Sequence, residues 1–306
     1  MRPWLLPLLR CVRCDADDVR TEGGGCACGA CGARYPARDG VYDFLGDPHP
    51  AVEREIAAVA SLDSHDPEVG LRIATLVREL DREEVAPGDP RLDEFPSFRE
   101  SFATRRHTRQ MLARRPPEPG CVAVELGADH CLATGPLLDA GCRVVAVDIT
   151  DHLALAPRAG HERLARLRAD MNRLPLAGGV ADLVWATACV HHSWDLEQTF
   201  REARRVLRPR GRFVLLGEPM PAWPRYLAFG AGRRFGREQR ELGINETLHP
   251  REAWMSAARR AGFEPRLVFP DSTARRLPAP LRGSGPLARR LRALLQVSIH
   301  MVAELS

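Results

Sequence analysis

The sequence predicts an α/β protein: a doubly wound, mostly parallel seven-stranded sheet, preceded by a small metal knuckle and a helical segment. Three observations lead there. From residue 121 onward, short apolar runs alternate with amphipathic ones, the mark of repeated β-α units. Residues 181–188 are almost continuously apolar, as a strand covered on both faces must be. Five of the nine cysteines crowd into the first 31 residues, and four of those five form two Cys-x2-Cys pairs. At 306 residues the chain is long enough for one large core or two domains.

The expected domains are residues 1–47, 48–117 and 118–306. In the first, a Cys-x2-Cys turn aims two thiolates at one point. Two such turns, Cys11 with Cys14 and Cys28 with Cys31, build the tetrahedral sulfur cage that Zn2+ prefers. Cys26 is an alternative to Cys28, but only Cys28 has the two-residue spacing to Cys31. So short a stretch buries little core, so the metal is expected to supply its folding free energy. Removing it should unfold the module and leave the sheet largely intact. A pair of disulfides is the competing reading; the odd cysteine count and the absence of a convincing signal peptide weigh against it. Residues 4–9 are apolar but short, broken by Pro7 and followed by Arg10, and they read as a buried strand. The chain is therefore expected to be cytoplasmic.

Residues 48–117 read as helical, with apolar side chains at helical spacing over 53–59 and 71–80 and a basic amphipathic stretch over 98–112. Proline-rich breaks at 86–90 and 116–119 punctuate them. This segment is either a connector or a lid. The sheet domain follows. Strands are expected at 122–125, 143–148, 167–170, 181–188, 212–217 and 263–269, with a closing strand at 297–304. Helices should run from the first turn to 140, over 196–207 and over 251–261. A basic insertion at 270–295 carries Arg275, Arg276, Arg282, Arg289, Arg290 and Arg292. Three readings stay open for it: a lid favouring an anionic small-molecule substrate, a membrane-touching amphipathic helix, or a solvated face.

Charge narrows the classes. There are 44 basic against 40 acidic residues, a net charge of +4, too mild to demand a nucleic-acid partner. Every basic residue is Arg, so a single Arg says little about chemistry. No apolar run approaches the roughly 20 residues that span a bilayer.

The functional signal lies in "VAVELGADHCLATGPLLDAGCRVVAVDI". A strand ends at Glu125, a turn opens at Gly127, and an acid follows at Asp148. Ligands of doubly wound sheets sit beyond the carboxyl ends of the strands, where such an acid can accept both hydroxyls of a ribose. The following "LRADMNRLPLAGGVADLVWATACVHH" and "EARRVLRPRGRFVLLGEP" resemble the class I S-adenosylmethionine-dependent methyltransferases, whose fold is Rossmann-like. The resemblance covers roughly residues 120–265. "LLPLLRCVRC" and "CGACGARYPARDGVYDFL" resemble the zinc ribbon found fused to, or beside, such enzymes.

The resemblance implies S-adenosylmethionine as cofactor and a structural zinc ion held by the four cysteines. Glu125 and Gly127 would flank the methionine moiety, Asp148 would bind the ribose, and Asp170 would accept from the adenine amino group. Met171 would pack on the adenine, and Thr187 would contact the cofactor at the same strand edge. His191 or His192 would be a general base for a hydroxyl or amine acceptor. "GINETLHP" (243–250) resembles the substrate-side segment of methyltransferases that act on small metabolites, so Asn245 and Glu246 would touch substrate. By position, Glu218 ends the fifth strand at the same edge and is either a substrate contact or a solvated loop acid. One departure stands out: the family's E-x-G-x-G-x-G turn keeps only its first glycine, with Asp129 and Cys131 at the other two. Asp129 could pair with the cofactor's ammonium group. Two rivals follow. One is an RNA methyltransferase, against which stand six Arg and seven acids over residues 1–47, no basic dock for RNA. The other is a repurposed fold that binds a partner without transferring methyl groups.

Overall fold

A computed structural model describes residues 1–65, 67–83, 85, 89–93, 96–268, 294 and 298–305. After a 3-10 turn at Leu6–Leu8, strands β1 (Val19–Glu22), β2 (Gly25–Cys28) and β3 (Arg34–Tyr35) form a small antiparallel sheet. Two further short strands, β4 (Ala37–Arg38) and β5 (Val41–Asp43), lead away from it. Helices α1 (Pro50–His65), α2 (Pro67–Glu79) and α3 (Pro96–Arg114) come next, where periodicity placed them.

The main sheet then unfolds in sequence. It contains β6 (Val122–Leu126), α4 (Thr134–Asp139), β7 (Arg143–Asp148), β8 (Leu164–Arg168), β9 (Ala181–Thr187), α5 (Leu196–Val206) and β10 (Leu207–Pro219). The short helices α6 (Trp223–Ala228) and α7 (Arg237–Leu242) follow, then α8 (Arg251–Arg260), β11 (Phe263–Val268) and β12 (Ser298–Leu305). The strand order is β11-β12-β10-β9-β6-β7-β8-β5-β4. Neighbours from β10 to β5 pair in parallel; β12 runs antiparallel to both β10 and β11.

All seven expected strands are present, and the structure corrects three details. The sheet has nine strands, because β5 pairs with β8 and brings β4 with it. The third strand ends at Arg168, because the backbone turns at Asp170, whose carboxylate accepts from the Asn172 amide at 2.8 Å. Residues 6–8 form a turn with proline near its start rather than a strand, and only Leu9 makes a bridge, to Leu176. The basic insertion at 270–295 falls outside the described residues apart from Leu294.

Two layers cover the sheet. One core unites Phe200, Phe213, Trp254 and Phe263 with Leu5, Leu9 and Phe44 of the N-terminal module. The other packs Leu137, Leu138, Cys142 and Trp185 beneath α4. Helix α5 shows why the sequence chooses this arrangement. Asp195 caps it by accepting from the Gln198 amide at 2.9 Å, and Leu196, Phe200, Ala203 and Val206 bury one face at helical spacing. Among the described residues no helix is long and apolar enough to cross a membrane.

Candidate active site

The chain leaves β6 for β7 and β8 on one side, then returns to β9 and β10 on the other. The crevice between the carboxyl ends of β6 and β9 is thus the topological switch point, where doubly wound sheets bind ligands. The predicted cofactor residues converge there.

Gly127 opens the first turn with φ +57°, and a Cβ on it would lie 2.3 Å from the Cβ of Cys189. Only glycine satisfies both constraints. Glu125 is buried, and its carboxylate accepts from the Ala133 amide at 3.1 Å and from the Thr134 hydroxyl. Burial pushes its pKa up to about 7, against the opposing pull of those donors. Glu125 thus clamps the far end of its own loop.

Asp129 and Cys131 both adopt positive φ, 44° and 60°, so side chains occupy a conformation made for glycine. The Asp129 carboxylate lies 2.8 Å from Nδ1 of His130 and 2.6 Å from Nδ1 of His152. Burial opposes its ionisation, but the two imidazoles prevail and hold it well below the usual range. Asp129 is therefore committed to two histidines, which competes with its expected pairing to an ammonium group. Its amide donates to Asp148 at 2.8 Å.

Asp148 ends β7 and is buried. Its carboxylate also accepts from the amide and hydroxyl of Thr150, each at 2.8 Å. Three of about four acceptor sites on a carboxylate are thereby filled, which leaves one on Oδ2. Burial, then the nearby charge of Asp129, raises its pKa. On β9, the Thr187 hydroxyl is buried with no hydrogen-bond partner among the described residues. Asp170 accepts at 2.8 Å from the indole N–H of Trp194, which stacks on His49 with centroids 4.1 Å apart. The indole thus holds the carboxylate oxygen expected to meet an adenine. Met171 is half-buried against the core.

Beyond β9 and β10 the geometry changes two expectations. Glu218 is fully buried and accepts from the amides of Cys189 and Val190, each at 2.9 Å, and from the amide and Nδ1 of His191 at 3.3 and 2.9 Å. Its lone pairs are spent on the turn after β9, so it has no surface for substrate. His191 is buried with Nδ1 on Glu218 and Nε2 3.3 Å from Glu246. Burial lowers its pKa, yet the two carboxylates outweigh burial and raise it to about 9. An imidazolium held on both sides does not accept a substrate proton at neutral pH.

His192 is half-buried, with Nδ1 2.8 Å from Glu55 and Nε2 3.1 Å from Glu246. The Asn245 side chain donates to the His192 carbonyl at 2.6 Å, which pins the 243–250 segment to the turn. Glu55, on α1, completes this cluster although no local pattern in the sequence marked it. Trp194, His130 and His152 were likewise missed. The signal they carried was proximity in sequence to His192, Asp129 and Asp148.

At the other end of the chain, Cys11, Cys14, Cys28 and Cys31 bring their sulfurs within 4.8 Å of one another. The Cys11–Cys31 and Cys14–Cys28 separations are both 3.6 Å. Zn–S bonds of about 2.3 Å in a tetrahedron put sulfurs about 3.8 Å apart, so the cage fits the ion. Cys26 points away, toward the Met1 sulfur at 4.0 Å. The Tyr35 hydroxyl lies 3.0 Å from the Cys11 sulfur.

Residues 124–215 match the profile of a methyltransferase domain. That segment runs from β6 to β10 and contains the whole switch-point crevice. Among curated relatives, a malonyl-[acyl-carrier protein] O-methyltransferase of Methylovorus sp. is 33% identical over 105 residues, covering 26% of this chain and 36% of that one. A demethylmenaquinone methyltransferase of Mycobacterium marinum is 34% identical over 98 residues, covering 32% and 41% respectively. The chain spans between about a third and a half of the length of such relatives. Geranyl diphosphate C-methyltransferase from Streptomyces coelicolor A3(2), solved with Mg2+, a substrate analogue and S-adenosyl-L-homocysteine, has a TM-score of 0.50. It is 18% identical, with 72% of this chain and 84% of that chain covered, and it shares the fold of the methyltransferase domain.

Proposed function

We propose that the chain is an S-adenosylmethionine-dependent methyltransferase acting on a small-molecule acceptor. The observation that carries this reading is the crevice at the β6–β9 switch point. There, among the described residues, a buried strand-end carboxylate, Asp148, keeps one acceptor site open, and the Thr187 hydroxyl is buried without a partner. Both fit a polar nucleoside. Asp148 would accept from a ribose hydroxyl and Thr187 would engage the cofactor near the end of β9. Gly127 allows close approach of the backbone. Asp170 would take the adenine amino group once the Trp194 indole swings off it. Met171 would pack beside the ring.

When bound, S-adenosylmethionine supplies a methyl group already activated on a sulfonium. The protein's task is to align the acceptor, an effect that reaches roughly 7–11 kcal/mol in favourable cases. The acceptor would enter over β9 and β10, beside Asn245 and Glu246. The four-cysteine cage is read as a structural zinc site. The names of the demethylmenaquinone and geranyl diphosphate methyltransferases favour a small metabolite, and the near-even charge of residues 1–47 disfavours RNA.

The test is calorimetry with S-adenosylmethionine and S-adenosylhomocysteine. Micromolar binding is expected, and Asp148→Ala should weaken it by 100-fold or more, about 3 kcal/mol for a lost charge-assisted hydrogen bond. One observation favours a second reading, in which the fold binds a partner without transferring methyl groups: Asp129 and Cys131 stand where the cofactor turn has glycines. Absence of binding at millimolar cofactor would decide for it.

A further inference from the structure

We propose that His191, His192 and Glu246 hold a divalent transition-metal ion beside the acceptor entrance. The argument starts from which nitrogens point where. The Nε2 atoms of the two histidines converge on one oxygen, Oε2 of Glu246, at 3.3 and 3.1 Å. Ligands bound at about 2.1 Å to one ion stand about 3.0 Å apart in an octahedron and 3.4 Å apart in a tetrahedron. Two sides of such a triangle have this spacing, and all three atoms lie within 4.8 Å of one another.

The opposite ring atoms carry the stronger sign. Nδ1 of His191 sits 2.9 Å from Glu218, and Nδ1 of His192 sits 2.8 Å from Glu55. A ligating histidine characteristically donates its other ring N–H to a carboxylate, which fixes the tautomer and turns the remaining lone pair on the metal. Here both histidines do so, from two unrelated elements, the end of β10 and helix α1. Charge points the same way. Three carboxylates, two of them buried, surround two imidazoles. One dication bound at the two Nε2 atoms and Glu246 offsets that concentration of negative charge.

Two imidazoles and one carboxylate suit zinc, iron(II), cobalt(II) or manganese(II), and three protein ligands leave positions open. His192 and Glu246 are half-buried rather than sealed. Next to them, between α1 and residues 240–245, lies a cleft of about 620 Å3 lined by Arg54, Ala58, Arg240, Ile244 and Asn245. The open positions would take an anionic oxygen of the acceptor, with the two arginines as counter-charge. That last role rests on the methyl-transfer reading; the metal site itself does not.

The experiment counts metal. Wild type, Glu246→Gln and His192→Gln are stripped, reloaded with cobalt(II), dialysed and assayed for cobalt per chain. Each variant is expected to hold one ion fewer than wild type. The thiolate charge-transfer absorption, which belongs to the cysteine cage alone, should be unchanged in the variants and reports that their N-terminal module is folded. Glu55→Gln touches no ligand position and should weaken this ion's affinity about 10–100-fold; it carries the comparison if either other variant fails to fold. Equal cobalt content in all four proteins overturns the proposal. Binding of S-adenosylhomocysteine to wild type is measured in parallel. Loss of that binding with the metal count as expected removes the methyltransferase reading alone; normal binding with equal counts removes the metal site alone.

Discussion

Glu125 shows how one buried side chain couples the site to stability. Its ordinary pKa is 4.5, and burial raises it to about 7 in the folded chain, with Asp148 adding to the rise and Thr134 and Ala133 opposing it. The folded state therefore binds more protons than the unfolded state between these two values. Stability is greatest below pH 4.5 as far as this group is concerned, falls as pH rises through the window, and levels off above pH 7. The loss amounts to about 3 kcal/mol. Glu125→Gln should remove that slope, and the variant should be the more stable protein at pH 8 by urea unfolding. A parallel pH profile in the two proteins would show that Glu125 is not the group responsible. Gly127→Ala has the opposite sign. A left-handed φ and a Cβ 2.3 Å from Cys189 should together cost about 2–4 kcal/mol, read as a lower urea midpoint at unchanged slope. At this scale the sequence was legible where chemistry follows backbone position. Gly127, Asp148 and Asp170 stand at strand ends because their motifs put them there. What could not be read was occupancy. Glu218 looked like a substrate contact because it ends a strand at the right edge, yet the amides and imidazole of residues 189–191 consume its oxygens.

Among the elements, the N-terminal module departs most from expectation. Sequence spacing alone made it a free-standing knuckle whose loss would leave the sheet largely intact. Instead β5 extends the sheet beyond β8, with Val41 opposite Arg166 and Asp43 opposite Arg168. Arg168 pairs with Asp43 at 2.9 Å, and Arg166 donates to the Asp39 carbonyl at 2.6 Å. The Arg10 amide donates to the Pro175 carbonyl at 3.0 Å, and Leu5, Leu9 and Phe44 share one core with the face of the sheet. The alternation that marks a strand was too short to see at residues 41–43, and β5 is held by pairing with β8 on one side and β4 on the other. A module so joined cannot melt alone. Removing metal with a chelator should therefore lower the midpoint of one calorimetric transition, and Cys28→Ser should do the same without chelator. Two resolved transitions, with only the lower one sensitive to metal, would restore the picture of an independent knuckle.

On the scale of the whole molecule, the helical segment decides whether the site is open or braced. Position in the sequence allowed a connector or a lid; we propose a strut, since contacts fasten the segment at both ends. Glu55 on α1 grips His192 across 137 residues of sequence. At the other end, Asp81 follows α2 and accepts from Arg105 of α3 at 2.7 Å and from Arg158 at 2.5 Å. Arg158 also reaches Asp139 of α4 at 2.6 Å, so Asp81 ties the end of α2 to α3 and to the loop beyond β7, and Arg158 carries the link on to α4. Such pairs are invisible to any reading of local pattern, because each partner alone is an unremarkable charge in an arginine-rich chain. Their energetics are testable by a cycle. Arg105 is 2% exposed, and burial lowers its pKa to about 10 despite the pull of Asp81. Asp81→Asn would leave that guanidinium buried without its counter-charge, at a cost of about 3–5 kcal/mol. Replacing both partners, Asp81→Leu with Arg105→Leu, removes the desolvated charges together and should be the milder change, since Arg158 keeps Asp139. If the double variant unfolds at lower urea than the single one, the pair is net stabilising in its own right. The helices would then be held on the sheet by that bond more than by the apolar faces of Leu76, Val77, Leu80 and Leu92 packed beneath it.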